Sequence, residues 1–257
     1  GGGKHKTLIA GTSYGIKGGR TLIGGTGYDI KKGRTLIGGT GYDIKLATPL
    51  AELPEGSIIK LNEDDTPVEF YVAKHDYESD LNGAGRTLLV RKDCYASYNY
   101  SSPSNYFPDT GVYKVLNSTY KVKLDAAVRI AMGTTSCKTV KTYKPTGSTS
   151  IRGRMTTVSA AVFTLSKTEI NNSLNYNLSE GTQLPISDTL KTALFNGEAV
   201  NWITRSSSAM NSIYVITSSG SVSSVYYHQN SDNYYMRPVF TLPETMEVDG
   251  DFNLIAA

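Results

Sequence analysis

Apolar and polar positions along the chain fall into distinct regimes. Residues 1–47 carry a direct repeat of fourteen residues, with copies starting at Lys6, Arg20 and Arg34. Each copy couples a Thr-Leu-Ile piece to a Tyr-x-Ile piece across a glycine-rich turn, so each reads as two short β segments. One such unit cannot bury its own apolar face, and three predict an arm ordered by stacking, oligomerisation or docking on a larger assembly. Residues 48–55, with Pro49 and Pro54, read as a linker. Beyond them, alternation predicts strands at 57–62, 68–74 and 86–91. Val115, Leu116, Tyr120, Leu124, Val128 and Ile130 have the spacing of one amphipathic helix over 113–132.

The remainder alternates again. Residues 138–157 read as two β segments around Pro145-Thr146-Gly147. Ser166 and Glu169 have capping-box spacing and predict a short helix through Leu174. A second helix is expected over 187–195, stopped at Asn196-Gly197. Strands follow at 200–204, 212–217, 221–227 and 238–242, with Ser218-Ser219-Gly220 as a hairpin turn. The expected fold class is α+β: a domain over 56–257, preceded by the short β-repeat arm.

Two segments depart from ordinary surface composition. Residues 206–236 are almost wholly Ser, Tyr, Asn, Val and small residues, and residues 95–113 interleave Tyr and Phe with Ser, Asn and Pro. Ten of the eighteen tyrosines lie in 95–113 or 213–235, although soluble domains normally dilute exposed aromatics. Tyr supplies large contact area at low entropy cost, while Ser and Asn adapt their hydrogen bonds, which is the chemistry of paratopes. A polar surface loop, with some rings folded onto the core, is the plainer reading. The expected ligand-binding residues are Tyr98, Tyr100, Tyr106, Ser207, Ser208, Met210, Asn211, Tyr214, Tyr226, Tyr227, His228, Asn230, Asp232, Asn233, Tyr234 and Tyr235. Arg205 and Arg237 flank the second segment and are expected to brace it through backbone carbonyls, or else to hold a ligand carboxylate.

At 257 residues and 39% hydrophobic, the chain can bury a substantial core, with Trp202 expected inside it. A net charge of +3 without a basic run does not indicate nucleic acid. No apolar run approaches the roughly 20 residues of a membrane span, so membrane insertion is not expected. Cys94 and Cys137 are too few for a disulfide framework or a metal knuckle and read as two buried free thiols, with a bond between them as the alternative. The first residue is Gly rather than Met, which leaves room for a piece before Gly1, and nothing at this end reads as a secretory signal.

Chemistry is sparse. Of His5, His75 and His228, none has a partner at metal-ligand spacing, and no HExxH, paired CxxC or Gly-x-Ser-x-Gly occurs. Gly24-Gly25-Thr26-Gly27 lacks the Gly-Lys-Ser/Thr of a phosphate loop. Glu63-Asp64-Asp65 reads as a solvated turn of acids. No catalytic residue, metal site or cofactor is expected, and the chain does not read as an enzyme.

The order of several segments resembles a known family. Residues 56–63, 69–77, 86–93 and 116–120, with Trp202-Ile203-Thr204-Arg205-Ser206 and Arg237-Pro238-Val239-Phe240-Thr241-Leu242-Pro243, are similar to C-type-lectin-fold variable proteins from phages and prophages of gut bacteria. The fourteen-residue leader repeats are similar too. Some members are targets of diversity-generating retroelements, in which Asn codons mutate to Asn, Tyr, Ser, Asp, His or Ile, the menu of residues 206–235. The resemblance implies a C-type-lectin-like domain and a phage tail-tip receptor-binding protein or adhesin. It would bind a host bacterial surface protein or glycan through a hypervariable face, and reach virion tail proteins through residues 1–47. A homotrimer on the virion is expected, or a bacterial-surface location for a prophage product. The alternative is a structural virion or baseplate decoration protein that uses its tyrosines for subunit contacts. The calcium-ligand motifs of sugar-binding lectins and the paired late cysteines of formylglycine-generating enzymes are absent.

Overall fold

The computed structural model describes residues 47–98, 104–226 and 234–255, together with the backbone of six strands before them. Those six are β1 (Lys4–Ile9), β2 (Thr12–Lys17), β3 (Arg20–Ile23), β4 (Thr26–Asp29), β5 (Gly33–Ile37) and β6 (Thr40–Ile44). They pair as three antiparallel hairpins, one per repeat. The register is the same in each: Thr7 faces Tyr14, Thr21 faces Tyr28, and Thr35 faces Tyr42. A repeated sequence has produced a repeated backbone unit.

Residues 48–55 are not a free linker. Thr48–Pro49 forms β7, which pairs with β21 (Glu247–Val248) near the other end of the chain, and β21 pairs in turn with β22 (Leu254–Ile255). Leu50 and Leu53 follow directly into the core. His75 ties this stretch down, with Nε2 2.7 Å from the Leu53 carbonyl and Nδ1 3.0 Å from Thr87 Oγ1.

The first predicted strands are present as β8 (Ile58–Glu63), β9 (Thr66–Lys74) and β10 (Arg86–Arg91), with the short α1 (Ser79–Asn82) between the last two. With β20 (Val239–Pro243) they form an antiparallel sheet in the order β20-β10-β9-β8. β8 alternates half-buried and buried residues as a one-faced strand should. Asp64 and Asp65 turn the chain with φ of 48° and 62°. The acidic turn is only partly solvated. Glu63 is buried, accepts two hydrogen bonds from Arg91 (2.9 and 3.0 Å), and takes the Tyr120 hydroxyl at 2.5 Å.

The single helix expected over 113–132 is broken. After the two-residue strand β11 (Ala96–Ser97), the chain forms α2 (Gly111–Val115), a π turn at Leu116–Tyr120, a 3₁₀ turn at Lys121–Lys123, and then α3 (Ala126–Met132). The helical run stops at Leu124 and Asp125, with ψ of 148° and 145°, where Leu124 bridges to Glu63 and the Lys123 carbonyl accepts the Asp64 N–H (2.8 Å). The π turn before it is held by Asn117. Its amide donates to the Tyr113 and Val162 carbonyls at 2.9 and 2.8 Å, and its oxygen accepts from Ala161 and Val162 N–H. Local helical geometry yields to these long-range bonds and to the burial of Tyr120. Ile130, which the periodicity placed on the apolar face, is 82% exposed.

The expected β pair is a hairpin of β12 (Thr135–Tyr143) and β13 (Arg152–Ala160). The capping box opens α4 (Lys167–Asn171) as predicted, and the helix ends earlier, at Asn172 with φ 57°. Only α5 (Ser187–Leu190) forms of the second helix. Asn196-Gly197, φ 51° and 86°, instead joins β14 (Leu194–Phe195) to β15 (Glu198–Ala199), as Asn-Gly does in tight hairpins. The last strands are β16 (Asn201–Ala209), β17 (Ser212–Ile216), β18 (Val222–Tyr226) and β19 (Tyr234–Met236). They assemble in the order β11-β19-β16-β17-β18, with β16 and β19 parallel. One core takes Phe70, Leu89 and Phe240 from the first sheet and fully buried Trp202, Ile203 and Val215 from the second. The architecture is strand-rich and α+β.

Candidate functional site

The two arginines that flank the Ser/Tyr segment lie under it, fully buried. Arg205 uses all five of its donors. Nε bonds the Lys138 carbonyl (2.9 Å), Nη1 bonds Thr164 O (2.9 Å) and Glu169 Oε2 (2.7 Å), and Nη2 bonds Glu169 Oε1 and Glu180 O, both at 3.0 Å. Glu169, the capping-box acid, also accepts the Ser166 N–H (2.8 Å) and the Tyr77 hydroxyl (2.6 Å). Among the described residues, Arg237 makes no carboxylate contact. It donates to the carbonyls of Arg91 (2.8 Å), Lys92 (2.8 Å) and Leu190 (2.6 Å), and lies over the Trp202 ring at 5.1 Å. Burial lowers its pKa to about 10. Both side chains brace backbone, and neither is aimed at a ligand.

The strand expected over 200–204 runs on to Ala209, into the start of the Ser/Tyr segment. Ser206 and Ser207 continue β16 and are fully buried. Their hydroxyls are spent on protein partners, Ser206 on Glu180 and Ser207 on the Asn105 carbonyl (2.8 Å). Ser207 therefore offers no ligand contact. The buried hydroxyls cost little because each is hydrogen-bonded, and they let a polar sequence occupy a central strand.

Exposure starts at Ser208. Its hydroxyl meets that of Ser224 on β18 (2.6 Å), and Tyr214 lies directly opposite Ser224 in the register. Lys167 Nζ sits 4.1 Å from the centre of the Tyr214 ring. Met210 and Asn211 form the exposed turn between β16 and β17, and Tyr226, 57% exposed, closes β18 opposite Ser212. Thus Ser208, Met210, Asn211, Tyr214 and Tyr226 share the Ala209 end of the sheet.

The first tyrosine-rich segment meets the second at two places. Tyr98 N–H donates to the Tyr234 carbonyl (2.8 Å), and Ser97 pairs with Tyr235, beside Asn201. Asn105 reaches the opposite end of β16, where its amide donates to Ala209 O and to Ser212 O (3.1 Å). The described parts of the two segments therefore meet at both ends of β16. Tyr106 is half-buried, with its hydroxyl on Thr156 Oγ1 (3.1 Å) and Lys141 over its ring at 4.5 Å. Tyr98 is half-buried against Gly111, where an added Cβ would overlap its hydroxyl. Tyr234 and Tyr235 pack partly on the core, Tyr235 at 4.7 Å from the Phe195 ring centre. These four rings are partly structural. Tyr100, Tyr227, His228, Asn230, Asp232 and Asn233 lie outside the described residues.

Sequence reasoning missed Tyr176. It sits in a two-residue turn, bracketed by Asn175–Leu178 backbone bonds of 2.8 and 2.9 Å, with φ of 51°, a conformation a bulky residue adopts at a cost. Its hydroxyl donates to the Ser208 carbonyl at 2.9 Å, and its Cβ lies against Gly153, where a side chain would come within 2.7 Å of it. Tyr176 thereby joins the β12–β13 hairpin to the Ser208–Tyr214 surface. The positive φ after Asn175 carries no sequence signal; Lys167 and Asn105 likewise required the tertiary fold.

At the Asn201 end, Ala199, Val200, Asn201, Ser218 and Tyr235 line a shallow cleft of about 200 Å³. Cys94 and Cys137 are buried and unpaired, and burial pushes their thiols up to about 12 and about 11. Among the described residues, no three His, Cys, Asp or Glu side chains converge as a metal site would require, and no helix is long and apolar enough to cross a membrane.

These features define a class: a strand-rich α+β domain that carries a polar, tyrosine-bearing surface on strands clamped from beneath by buried arginines. Residues 84–244, more than half of the chain, match the family DUF6273, described as a domain of unknown function, and the chain belongs to that family. No curated protein and no solved structure matches it.

Proposed function

We propose that the chain is a receptor-binding adhesin of the phage tail-tip kind, with a C-type-lectin-like domain that grips a host cell-surface protein or glycan. The observation that carries this reading is the division between scaffold and surface. Arg205, Arg237, Ser206 and Ser207 are consumed by internal hydrogen bonds, whereas Ser208, Met210, Asn211, Tyr214 and Tyr226 remain accessible directly above them. Exposed Tyr with adaptable Ser and Asn on a rigid support suits recognition without catalysis. The hairpin arm joins copies of the chain, as a trimer, and attaches them to the virion, so that multivalency strengthens weak single sites.

The test is attachment of the purified, fluorescently labelled chain to a panel of gut bacterial cells. Tyr214→Ala with Tyr226→Ala should lower binding at least about tenfold, the loss expected of aromatic anchors, and leave the melting temperature nearly unchanged. Undiminished attachment by a folded double variant would overturn the assignment of this surface.

A further inference from the structure

We propose that the distal part of β13 is a docking edge for an extended acidic polypeptide segment of a partner protein, independent of the tyrosine-bearing surface. Residues 138–159 contain five cations (Lys138, Lys141, Lys144, Arg152 and Arg154) and no Asp or Glu. Lys138 is neutralised by Glu78 and Asp80 at 3.3 and 3.2 Å. The other four make no ion pair among the described residues. Register places Lys141 directly opposite Arg154 and Tyr143 opposite Arg152. Like charges facing each other across a ladder are destabilising; the Tyr106 ring, 4.5 Å from Lys141 Nζ, relieves one member, while Arg154 has no counter-charge among the described residues. Arg152, Arg154, Tyr143 and Lys144 are all exposed.

The backbone beside these cations is open. On β12, Ser136 N–H reaches Asn82 (2.7 Å), Val140 N–H reaches Glu180 (2.7 Å), and Lys138 C=O accepts from Arg205 (2.9 Å), so these residues point their main chain away from β13. Their partners Ser159, Thr157 and Met155, and Gly153 two residues on, therefore point away from β12. Ser159 C=O is taken by the Tyr113 hydroxyl at 3.2 Å. Gly153, Met155 and Thr157 have no backbone partner on that side among the described residues, and the sheet stops at two strands. Each outward residue offers one donor and one acceptor, repeating about every 6.8 Å. That ladder fits another β-strand, and acids at alternate positions of that strand would face Arg154 and Arg152. A polysaccharide supplies the charge without the ladder.

The full chain is titrated by fluorescence anisotropy with three probes: a blocked nine-residue peptide with Glu at alternate positions between Thr and Val, the same composition with its Glu contiguous, and polygalacturonate. The alternating peptide should bind, and slow the exchange of the Gly153, Met155 and Thr157 amides. Arg152→Glu with Arg154→Glu should weaken it at least about tenfold. Met155→Pro removes an outward N–H without touching the β12 ladder and should abolish binding while the hairpin stays folded. Equal binding of all three probes, insensitive to Met155→Pro, would overturn the proposal in favour of a polyanion surface. No binding of the alternating peptide would also overturn it, leaving the arginines as guards of a bare edge. Neither result bears on cell attachment through Tyr214 and Tyr226.

Discussion

Glu169→Gln tests the reasoning about the scaffold most directly. The carboxylate is fully buried, holds Arg205 through two bonds of 2.7 and 3.0 Å, and accepts from Tyr77 and Ser166 as well. Gln keeps the shape but removes the charge, and it turns an NH₂ group toward donors on one side. Arg205 then keeps no direct ion-pair partner, only the Glu180 carboxyl nearby, and has no route to water. Breaking a buried pair in this way costs about 3–5 kcal/mol. For a domain of this size each kcal/mol moves the melting temperature by about 2–4 °C, so a fall of roughly 6–20 °C is expected. Thermal unfolding at neutral pH, with urea unfolding to check that the slope is unchanged, measures it. Glu169→Gln with Arg205→Met should recover part of the loss by removing the stranded cation. Recovery stays partial, because the carbonyls of Lys138, Thr164 and Glu180 lose the same donor. A fall of less than about 2 °C for the single variant, or additive effects in the double-mutant cycle, would refute the view that this pair clamps β16.

Two further outcomes follow from burial. The pKa of Glu180 is raised above its ordinary 4.5, chiefly by burial, against the hydrogen bonds from Ser206 and Val140. A raised folded pKa means that the folded state holds its proton more tightly than the unfolded state. Its contribution is complete below the ordinary value and lost as pH rises through the folded one. The melting temperature of the native chain relative to Glu180→Gln should therefore decline as pH rises above the ordinary 4.5, and parallel curves would contradict this. With thiols pushed up to about 12 and about 11, Cys94 and Cys137 should resist a thiol reagent at pH 8 in the folded chain and both react after denaturation; rapid labelling of the native protein would show that the sites open readily.

The sequence by itself determined the elements whose signals are local. The fourteen-residue repeat became three hairpins in one register, because Thr-Leu-Ile and Tyr-x-Ile flank a turn of fixed length. Ser166 and Glu169 capped a helix, since a capping box is complete within one turn. Alternation located β8, β9, β10 and the β12–β13 pair. Bracing by Arg237 was also legible, from its place at the end of a polar segment. The tertiary structure decided whatever long-range satisfaction of polar groups controls. A helix that periodicity favoured broke at Leu124, which turns extended to bridge Glu63 on β8 from 61 positions away in the chain. Asn196-Gly197 served a hairpin rather than a helix end. Ser206 and Ser207 entered a central strand because Glu180 and the Asn105 carbonyl receive their hydroxyls, so part of a polar segment became core and its accessible positions begin at Ser208. Tyr176 joined the surface through a turn that its own residue type disfavours. A hydroxyl or amide has no intrinsic inside or outside: its burial is decided by the partner it finds, and that partner is set by the fold.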